Sequence, residues 1–337
     1  MADAGPLLSR QVIAVPSSNF GYETLRSIRY KMMKDALKPN GANSGVGSIQ
    51  RPDYFKAVMM FDIKSIPEMI EKSHKNLSVN QDTAKRAISF LDLTSLNDDD
   101  TADKIEALCH RAQTPAGHTA AVCIYAPFIE TAWKTLGKSG IKTATVVNFP
   151  RGDKTAQQVA DETANAVAAG ADEIDVVMPY HAFLDGDHDT VAEVIAATCQ
   201  ACGPFLTLKV ILETGEYPDA QAIYDAARLA ISNGANFVKT STGKVATGAT
   251  PEAAVAMIAA IRDAKAEQNL DCGFKASGGV RNTEDAALYL AIADDMMGAD
   301  WACPATFRFG ASSVLTDLLK TCGFDKADTS ANDAGSY

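Results

Sequence analysis

The sequence predicts a closed (β/α)₈ TIM barrel that follows an N-terminal extension, which we expect to be helical or partly disordered. Three observations indicate this fold class. Short apolar runs recur eight times from about residue 87, at intervals of roughly 25–35 residues. Alanine-rich segments of helical period lie between these runs. No GxGxxG turn follows the first run, which disfavours the alternative, an open doubly wound sheet.

Eight segments are predicted to form the strands of the barrel. In chain order they are Ser89–Leu93, Ala121–Tyr125, Ala144–Phe149, Glu173–Met178, Leu206–Leu212, Phe237–Thr240, Gly273–Ala276 and Phe307–Gly310. The helices predicted between them include Thr155–Ala169, Pro251–Glu267 and Thr283–Met297, and Thr250 stands before Pro251 in the position of a helix cap. Parallel strands need long crossover connections, so this alternation is typical of a parallel barrel.

The first 80 residues differ in charge from the rest of the chain. They carry 11 basic and 7 acidic residues, whereas residues 81–337 carry 20 basic and 35 acidic residues. We therefore predict an extension over residues 1–80, a barrel over residues 81–322 and a flexible tail over residues 323–337. Helical patterns in the extension cover Glu23–Leu37 and Ile66–His74. The sequence does not choose between an oligomerisation arm, a lid and a poorly ordered leader.

The composition argues against several classes of protein. No apolar run reaches about 18 residues, so we expect no membrane span. The net charge of −11 disfavours nucleic acid as a partner. Seven cysteines, an odd number, indicate reduced thiols rather than a disulfide framework, and residues 1–19 lack the pattern of a secretory signal. We expect a cytoplasmic protein, without a metal site because no His/Cys cluster has metal-ligand spacing.

Five of the strand candidates carry an ionisable residue within or at the end of their apolar run. These residues are Asp92, Asp175, Lys209, Lys239 and Lys275. Removing a single charge from water costs several kcal/mol, so buried charges are normally paired. One interpretation is a set of buried salt bridges that hold the barrel together. Their placement favours an active site, because polar residues toward the C-terminal ends of barrel strands usually form one.

Lys239 is the strongest candidate for chemistry. It follows the apolar pair Phe237–Val238, and both faces of this run are predicted to be buried. Burial and a nearby second ammonium both lower the pKa of a lysine, which leaves free amine near neutral pH. Such an amine can add to an aldehyde and lose water to form an iminium, with Asp175 helping to move protons. The alternative is a lysine that snorkels from a strand end.

Glycine and hydroxyl residues follow the last three strand candidates. They are Ser241 and Gly243, then Gly278 and Gly279, then Ser312 and Ser313. Barrel enzymes commonly hold a phosphate with the loops after the seventh and eighth strands and a helix N-terminus there. The sequence therefore predicts a phosphate site, although a glycine pair taken alone is also typical of a plain turn.

Five motifs, in family order, closely resemble the deoxyribose-phosphate aldolases, class I aldolases built on a (β/α)₈ barrel. The motifs are residues 173–177 (EIDVV), 208–216 (LKVILETGE), 237–244 (FVKTSTGK), 273–281 (GFKASGGVR) and 307–313 (FRFGASS). The resemblance runs from about Ala87 to the C-terminus and includes residues 92–96 and 120–125. It implies an aldolase that needs neither a metal nor an organic cofactor.

The resemblance also implies roles for individual residues. Lys239 would be the Schiff-base lysine, Lys275 the neighbouring cation that lowers its pKa, and Asp175 a proton carrier that works with an ordered water. Lys209 would belong to the surrounding charge network. Some family members place a C-terminal tyrosine in the site, which would be Tyr337 here, although a disordered tail is the alternative.

The remaining implied residues bind substrate. The phosphate would be held by Gly243, Gly278, Gly279, Ser312 and Ser313. The pocket would be lined, with secondary roles, by Asp92, Thr94 and Cys123. The family's usual Lys-Pro-Ala-Gly-Gly is Lys-Ala-Ser-Gly-Gly at residues 275–279, which loses a φ-fixing proline and adds a hydroxyl. We expect altered pocket detail and not lost chemistry.

The expected reaction is the reversible cleavage of 2-deoxy-D-ribose 5-phosphate to acetaldehyde and D-glyceraldehyde 3-phosphate. The expected partners are therefore small phosphorylated sugars and aldehydes, with a homo-oligomer as a further possibility. Two alternatives stay open at this point. One is another lysine-dependent barrel aldolase, of transaldolase type, and the other is a catalytically silent phosphosugar-binding barrel.

Overall fold

Eight parallel strands close into a barrel in the computed structural model, which describes residues 61–324. The strands are β1 (Leu91–Thr94), β2 (Ala121–Ile124), β3 (Lys142–Val147), β4 (Glu173–Val177), β5 (Thr207–Ile211), β6 (Phe237–Lys239), β7 (Gly273–Ser277) and β8 (Phe307–Ala311). Each strand pairs with the next in the chain, and β8 pairs with β1. The predicted barrel and its eight strands are thus confirmed.

Helices surround the barrel on the outside. Two precede it, α1 (Ile66–Asn76) and α2 (Gln81–Ser89). The others are α3 (Ala102–Arg111), α4 (Ile129–Leu136), α5 (Ala156–Ala169), α6 (Tyr180–Leu184), α7 (His188–Cys202), α8 (Ala220–Ser232), α9 (Pro251–Gln268), α10 (Thr283–Met297) and α11 (Val314–Thr321). A short antiparallel pair, Gln113–Thr114 with Gly117–His118, lies between α3 and β2.

The predicted helices begin at residues that cap them. Thr155 and Asn282 each form a capping box, with Gln158 and Asp285 respectively, at the starts of α5 and α10. The Thr250 side chain accepts a hydrogen bond from the Ala253 N–H at the start of α9, and Pro251 occupies the first helical position. These caps satisfy backbone N–H groups that have no partner inside the helix.

Helix α1 packs on the outer side of the helix ring, against α9 and α10. Every residue of α9 from Ala253 to Ile261 is buried, since the barrel covers one side of this helix and α1 covers another. Polar contacts secure the packing: Ser73 and Asn76 each donate to Asp295, both at 2.9 Å. The helix predicted at Ile66–His74 is confirmed and extends to Asn76.

Some element boundaries differ from the prediction. Ser89 ends α2 instead of beginning β1, because the Ser89 hydroxyl donates to the Arg86 carbonyl and the Phe90 N–H donates to the Ala87 carbonyl, which continue the helix to this point. Ala311 extends β8 by one residue beyond its predicted end at Gly310, and the next helix begins at Val314. The helix predicted at residues 23–37 and nearly all of the predicted tail lie outside the described residues. The domain boundaries therefore stay a prediction.

Candidate active site

The strand register brings the charged side chains into the barrel lumen in three layers. In a barrel of this type, each layer receives side chains from alternate strands. Direct pairing of Asp175 with Lys209, of Lys239 with Lys275 and of Lys275 with Arg308 sets their relative heights. From the N-terminal floor toward the C-terminal mouth, the layers contain Glu173, Phe237 and Arg308, then Asp92, Lys209 and Lys275, then Cys123, Asp175 and Lys239.

One carboxylate joins the three predicted lysines. The Lys239 Nζ donates to Asp175 Oδ2 at 3.0 Å, and the Lys275 Nζ donates to the same oxygen at 2.8 Å. The Lys209 Nζ donates to Asp175 Oδ1 at 2.8 Å. All four side chains are buried, with Lys239 only 1 % exposed. The structure therefore brings together the four residues that the sequence analysis placed at the centre of the chemistry.

A second set of ion pairs lies below this carboxylate. Asp92 Oδ2 lies 2.6 Å from the Lys275 Nζ, and Glu173 Oε2 lies 2.5 Å from the Lys209 Nζ. Arg308 contacts both acids, Asp92 at 2.5 Å and Glu173 at 2.9 Å. Within the described part of the chain, this network of ion pairs contains four basic and three acidic side chains. Its charges balance when one basic group is neutral.

Lys239 is the basic group of this network that is most easily neutralised. Burial, and after it the ammonium of Lys275, lower the pKa of Lys239 despite the Asp175 carboxylate. Burial acts in the same direction on Lys275 and Lys209, but there the surrounding carboxylates prevail and raise the pKa of each lysine above its usual value. Of the three lysines, Lys239 is therefore the one that holds its proton least tightly.

The two central aspartates stay ionised. Burial alone would raise their pKa values, but the cations around them have the larger combined effect. Lys209, Lys275 and Lys239 hold the pKa of Asp175 well below its usual range, and Arg308, Lys275 and Lys209 do the same for Asp92. Both side chains are therefore acceptors of hydrogen bonds at neutral pH.

The three glycines predicted to bind phosphate lie in loops at the mouth of the barrel. Gly243, Gly278 and Gly279 all have a left-handed backbone, with φ values of 75°, 74° and 87°. A Cβ atom on Gly278 would lie 3.0 Å from Ser241 Oγ and 3.2 Å from the Cα of Gly248, so the loops after β6 and β7 are in close contact. Small residues are needed there because the two backbones approach each other.

Hydroxyl groups at this mouth are left without protein partners. The Oγ atoms of Ser277 and Ser312 are buried and have no hydrogen-bond partner among the described residues. Ser313 directly precedes α11 and provides no side-chain cap for it. Buried hydroxyls are normally hydrogen-bonded, so these groups are available to a polar ligand.

An apolar wall lies on the opposite side of the lumen. Cys123 packs there with Leu96, Ala144 and Val146, and Tyr125 and Phe149 pack against this cluster. Burial, and after it Asp175, raise the pKa of the Cys123 thiol, so Cys123 stays neutral. Thr94 is buried at the end of β1, where its Oγ1 donates to the Asp92 carbonyl at 2.8 Å. The lumen is thus charged on one side and apolar on the other.

A family model described as DeoC/LacD family aldolase matches residues 86–320. The chain belongs to this aldolase family. The family resemblance that the motifs predicted is confirmed, and the buried lysines belong to a carbon–carbon lyase.

Comparison with solved structures agrees with this family assignment. A protein from Toxoplasma gondii ME49, provisionally described as a deoxyribose-phosphate aldolase, is 25% identical, with a TM-score of 0.68 over 73% of this chain and 97% of its own. A protein from Coccidioides immitis with the same provisional description is 26% identical, with a TM-score of 0.62 over 78% and 98% of the two chains. A tetrameric deoxyribose phosphate aldolase from Aeropyrum pernix, 24% identical, has the same fold, with a TM-score of 0.58 over 75% and 96%.

Four further residues near the site of the aldolase were not predicted from the sequence. Glu173 and Arg308 are charges within strands, the same signal that identified Asp175, but they lie near the strand starts, whereas active-site residues are expected at the C-terminal ends. Glu213 accepts hydrogen bonds from the Thr242 N–H at 3.1 Å and from its hydroxyl at 2.5 Å. Lys244 donates to the Leu96 carbonyl at 2.6 Å, across the mouth of the barrel.

Several other predictions concern what the aldolase lacks or where its tail lies. Among residues 61–324, no group of three His, Cys, Asp or Glu side chains is arranged to hold a metal ion, and no helix is long and apolar enough to span a membrane. All seven cysteines are free, including Cys199 and Cys202, which are three positions apart near the end of α7. Tyr337 lies outside the described residues.

Proposed function

We propose that this aldolase catalyses the reversible cleavage of 2-deoxy-D-ribose 5-phosphate to acetaldehyde and D-glyceraldehyde 3-phosphate through a Schiff base on Lys239. The observation that carries the proposal is the placement of Lys239. Its amine is buried, 3.0 Å from Asp175, in a network with one more basic group than acidic groups. A neutral amine in such surroundings is a nucleophile toward an aldehyde.

The first step of cleavage is attack of the Lys239 amine on the C1 aldehyde of the open-chain sugar. Loss of water from the resulting carbinolamine gives an iminium. The C2–C3 bond then breaks as the C3 hydroxyl loses its proton, and the electron pair of this bond passes into the iminium. The products of this step are D-glyceraldehyde 3-phosphate and an enamine of acetaldehyde. Protonation of the enamine at C2 and addition of water release acetaldehyde and restore the Lys239 amine.

Asp175 and Lys275 are placed to assist the proton transfers. Asp175 Oδ2 accepts from both Lys239 and Lys275, so protons can move between the two nitrogens along one short path. An ordered water beside Asp175 would extend this path to the C3 hydroxyl. Lys209 and Asp92 keep Asp175 and Lys275 in place through contacts of 2.8 Å and 2.6 Å.

The phosphate of the sugar would lie at the mouth of the barrel. Left-handed loops at Gly243, Gly278 and Gly279 leave backbone N–H groups open to an anion. The unpartnered hydroxyl of Ser312 and the start of α11 at Ser313 add further donors. Lys244, which follows Gly243, brings a cation to the same end of the barrel.

The apolar wall favours acetaldehyde as the two-carbon product over a hydroxylated donor. Leu96, Cys123, Ala144 and Val146 offer a methyl group an apolar surface. A dihydroxyacetone unit, as in a transaldolase reaction, would bring hydroxyl groups that need hydrogen-bond partners to this surface. Acetaldehyde release and dihydroxyacetone transfer are therefore to be assayed side by side, and transfer without release would exclude the proposal.

Trapping with borohydride tests the Schiff base directly. Reduction in the presence of 2-deoxy-D-ribose 5-phosphate or acetaldehyde should add one two-carbon or one sugar adduct, which peptide mass spectrometry should locate at Lys239. Lys142→Met is the matched control, because Lys142 is an exposed lysine on β3. This variant should keep both adduct and activity. An adduct on another lysine, or turnover without any adduct, contradicts the proposed mechanism.

The cellular setting is also part of the proposal. The seven free cysteines fit a reducing compartment such as the cytoplasm. Measurement of free thiols in protein isolated under non-reducing conditions tests this point.

A further inference from the structure

Arg308 and Glu173 form an ion pair at the floor of the barrel, beneath the lysines. The Arg308 guanidinium contacts Glu173 at 2.9 Å and Asp92 at 2.5 Å, and its Nε donates to the Pro304 carbonyl at 2.5 Å. Its centre lies 5.7 Å from the centre of the Phe237 ring. The side chain is fixed on several sides, so it holds its charge in one place.

Two chains of ion pairs connect this floor pair to Lys239. One runs from Arg308 through Asp92 and Lys275 to Asp175, with contacts of 2.5, 2.6 and 2.8 Å. The other runs from Glu173 through Lys209 to Asp175, with contacts of 2.5 and 2.8 Å. Both chains end at the carboxylate that accepts from Lys239. Neither Arg308 nor Glu173 forms an ion pair with Lys239, so any effect on the amine is indirect.

We propose that Arg308 and Glu173 are a pair of positioning residues that set the charge of Lys239 from the floor of the barrel, with opposite signs. This inference rests on the proposed role of Lys239 as the Schiff-base amine. The positive charge of Arg308 opposes an additional positive charge at Lys239. The negative charge of Glu173 favours one. Because their two charges cancel, the three lysines and two aspartates above them stay one counter-charge short, and Lys239 is the group that gives up a proton.

Most of the strands and loops around Lys239 carry charged or titratable side chains in the lumen or at its mouth. They are Asp92 on β1, Cys123 on β2, Glu173 and Asp175 on β4, Lys209 on β5, Glu213 after β5, Lys244 after β6, Lys275 on β7 and Arg308 on β8. From β3, the residues of the apolar wall are Ala144 and Val146. Glu213 is bonded to Thr242 and belongs to neither chain of ion pairs. Replacing Arg308 or Glu173 therefore changes the network's charge without removing a direct partner of Lys239.

Each single replacement leaves the remaining ions paired. Without Arg308, Asp92 still contacts Lys275 at 2.6 Å and Glu173 still contacts Lys209 at 2.5 Å. Without the charge of Glu173, Lys209 still contacts Asp175 at 2.8 Å and Arg308 still contacts Asp92 at 2.5 Å. No buried charge is left alone, which is the situation that most strongly destabilises a fold. The variants Arg308→Met and Glu173→Gln are therefore expected to fold.

The test compares the pH dependence of three variants with that of the wild type. The readouts are the acidic limb of kcat/KM and the yield of the borohydride-trapped adduct at Lys239. Arg308→Met removes a cation and should move the acidic limb to higher pH by about one unit, because Lys239 then holds its proton more tightly. Glu173→Gln removes an anion and should move the limb to lower pH by a similar amount. The double variant should return close to the wild-type position.

Arg308→Lys provides the conservative control, since it keeps the positive charge. Its acidic limb should stay at the wild-type position even if the variant is less stable. A cavity of about 360 Å³ opens from the floor of the barrel to Arg308, between Trp301, Thr207 and Phe237. In Arg308→Ala, guanidinium ions added well below unfolding concentrations should enter by this route and restore the wild-type limb, whereas sodium ions at equal ionic strength should not.

The outcomes separate this inference from the proposed function. Absence of a Lys239 adduct in the wild type would overturn the proposed function and with it this inference. A wild-type adduct at Lys239, combined with limbs that move in the same direction or not at all in the two single variants, would overturn the inference alone. In that case Arg308 and Glu173 would serve only to hold the barrel together.

Discussion

The floor and the mouth of the barrel differ in how their buried polar groups are paired. At the floor and in the layer directly above it, Arg308, Glu173, Lys209 and Asp92 are buried and each contacts an oppositely charged group. At the mouth, the hydroxyls of Ser277 and Ser312 are equally buried and have no hydrogen-bond partner among the described residues. The same eight strands contribute to both regions. This difference supports the proposal that a ligand binds at the mouth, whereas the ion pairs of the floor need no ligand.

Lys239 lies at the boundary between these two regions. It has one strong contact, with Asp175, and this carboxylate is shared with Lys209 and Lys275. A fully satisfied lysine would be an inert part of the floor, and an exposed one would keep its proton. In our proposal this intermediate position makes the amine reactive, and mutations that move Lys239 toward either extreme test the comparison.

The largest effect is expected from Lys239→Met. It removes the nucleophile and should reduce kcat by at least roughly three orders of magnitude while eliminating the adduct. The network then has three cations and three anions, so we expect no loss of thermal stability. A marked fall in Tm, or residual activity close to that of Lys142→Met, would show that Lys239 belongs to the floor.

A smaller effect is expected from Lys275→Met. Loss of this ammonium raises the pKa of Lys239, so less free amine is present at a given pH, and the acidic limb of kcat/KM should move to higher pH. At neutral pH we expect a loss of about 10- to 100-fold, part of which should be recovered in alkaline buffer. The pH profile of kcat/KM is the measurement. An unchanged limb would mean that Lys275 does not influence the charge of Lys239.

The mouth is tested with Gly278→Ala. A Cβ atom there would lie 3.2 Å from the Cα of Gly248 in a backbone with φ of 74°. We expect KM for 2-deoxy-D-ribose 5-phosphate to rise about tenfold, or about 1.4 kcal/mol of binding, with little change for unphosphorylated 2-deoxyribose.

Gly186→Ala is the matched control for this substitution. Gly186 also has a left-handed φ, of 83°, but its Cβ would meet no atom within 4 Å. Both variants carry the backbone strain, and only Gly278→Ala crowds the proposed phosphate loop. Equal KM values in the two variants would count against a phosphate site between these loops.

The smallest expected effect is a difference in stability between alanine variants of two serines at the mouth, Ser241 and Ser277. Ser241 Oγ donates to the Ser277 carbonyl at 2.7 Å, so Ser241→Ala should lower the free energy of unfolding by about 1 kcal/mol. Ser277→Ala should leave it unchanged or slightly raised, because the Ser277 hydroxyl has no partner to lose. Denaturant unfolding without substrate measures both. A loss in Ser277→Ala equal to that in Ser241→Ala would show that the Ser277 hydroxyl is satisfied.

Much of the fold followed from the sequence because apolar runs and alanine-rich helices alternate without interruption. Lys239, Lys275 and Asp175 were identifiable for the same reason, since a charge inside an apolar strand is rare. The errors at Ser89 and Ala311 arose because strand ends depend on neighbouring helix caps and on strand pairing. Neither the caps nor the pairing can be predicted from the few residues around a strand end.

The partners of the charged residues were much harder to predict. That Arg308 reaches Glu173 and Asp92 depends on the stagger between β8, β4 and β1, which the residues of any single strand do not encode. The unpartnered hydroxyl of Ser277 was likewise visible only in three dimensions. Gly310 lies beside this hydroxyl on the adjoining strand and has no side chain that could form a hydrogen bond with it.

The crowding of cations around Asp175 has a consequence for turnover. The iminium proposed on Lys239 carries a positive charge, which is lost when the electron pair of the C2–C3 bond passes into it and the neutral enamine forms. The surroundings that discourage protonation of the amine also penalise this charged adduct. We therefore expect such a covalent intermediate to form readily and to break down quickly, so that neither product of the proposed cleavage stays bound to the enzyme.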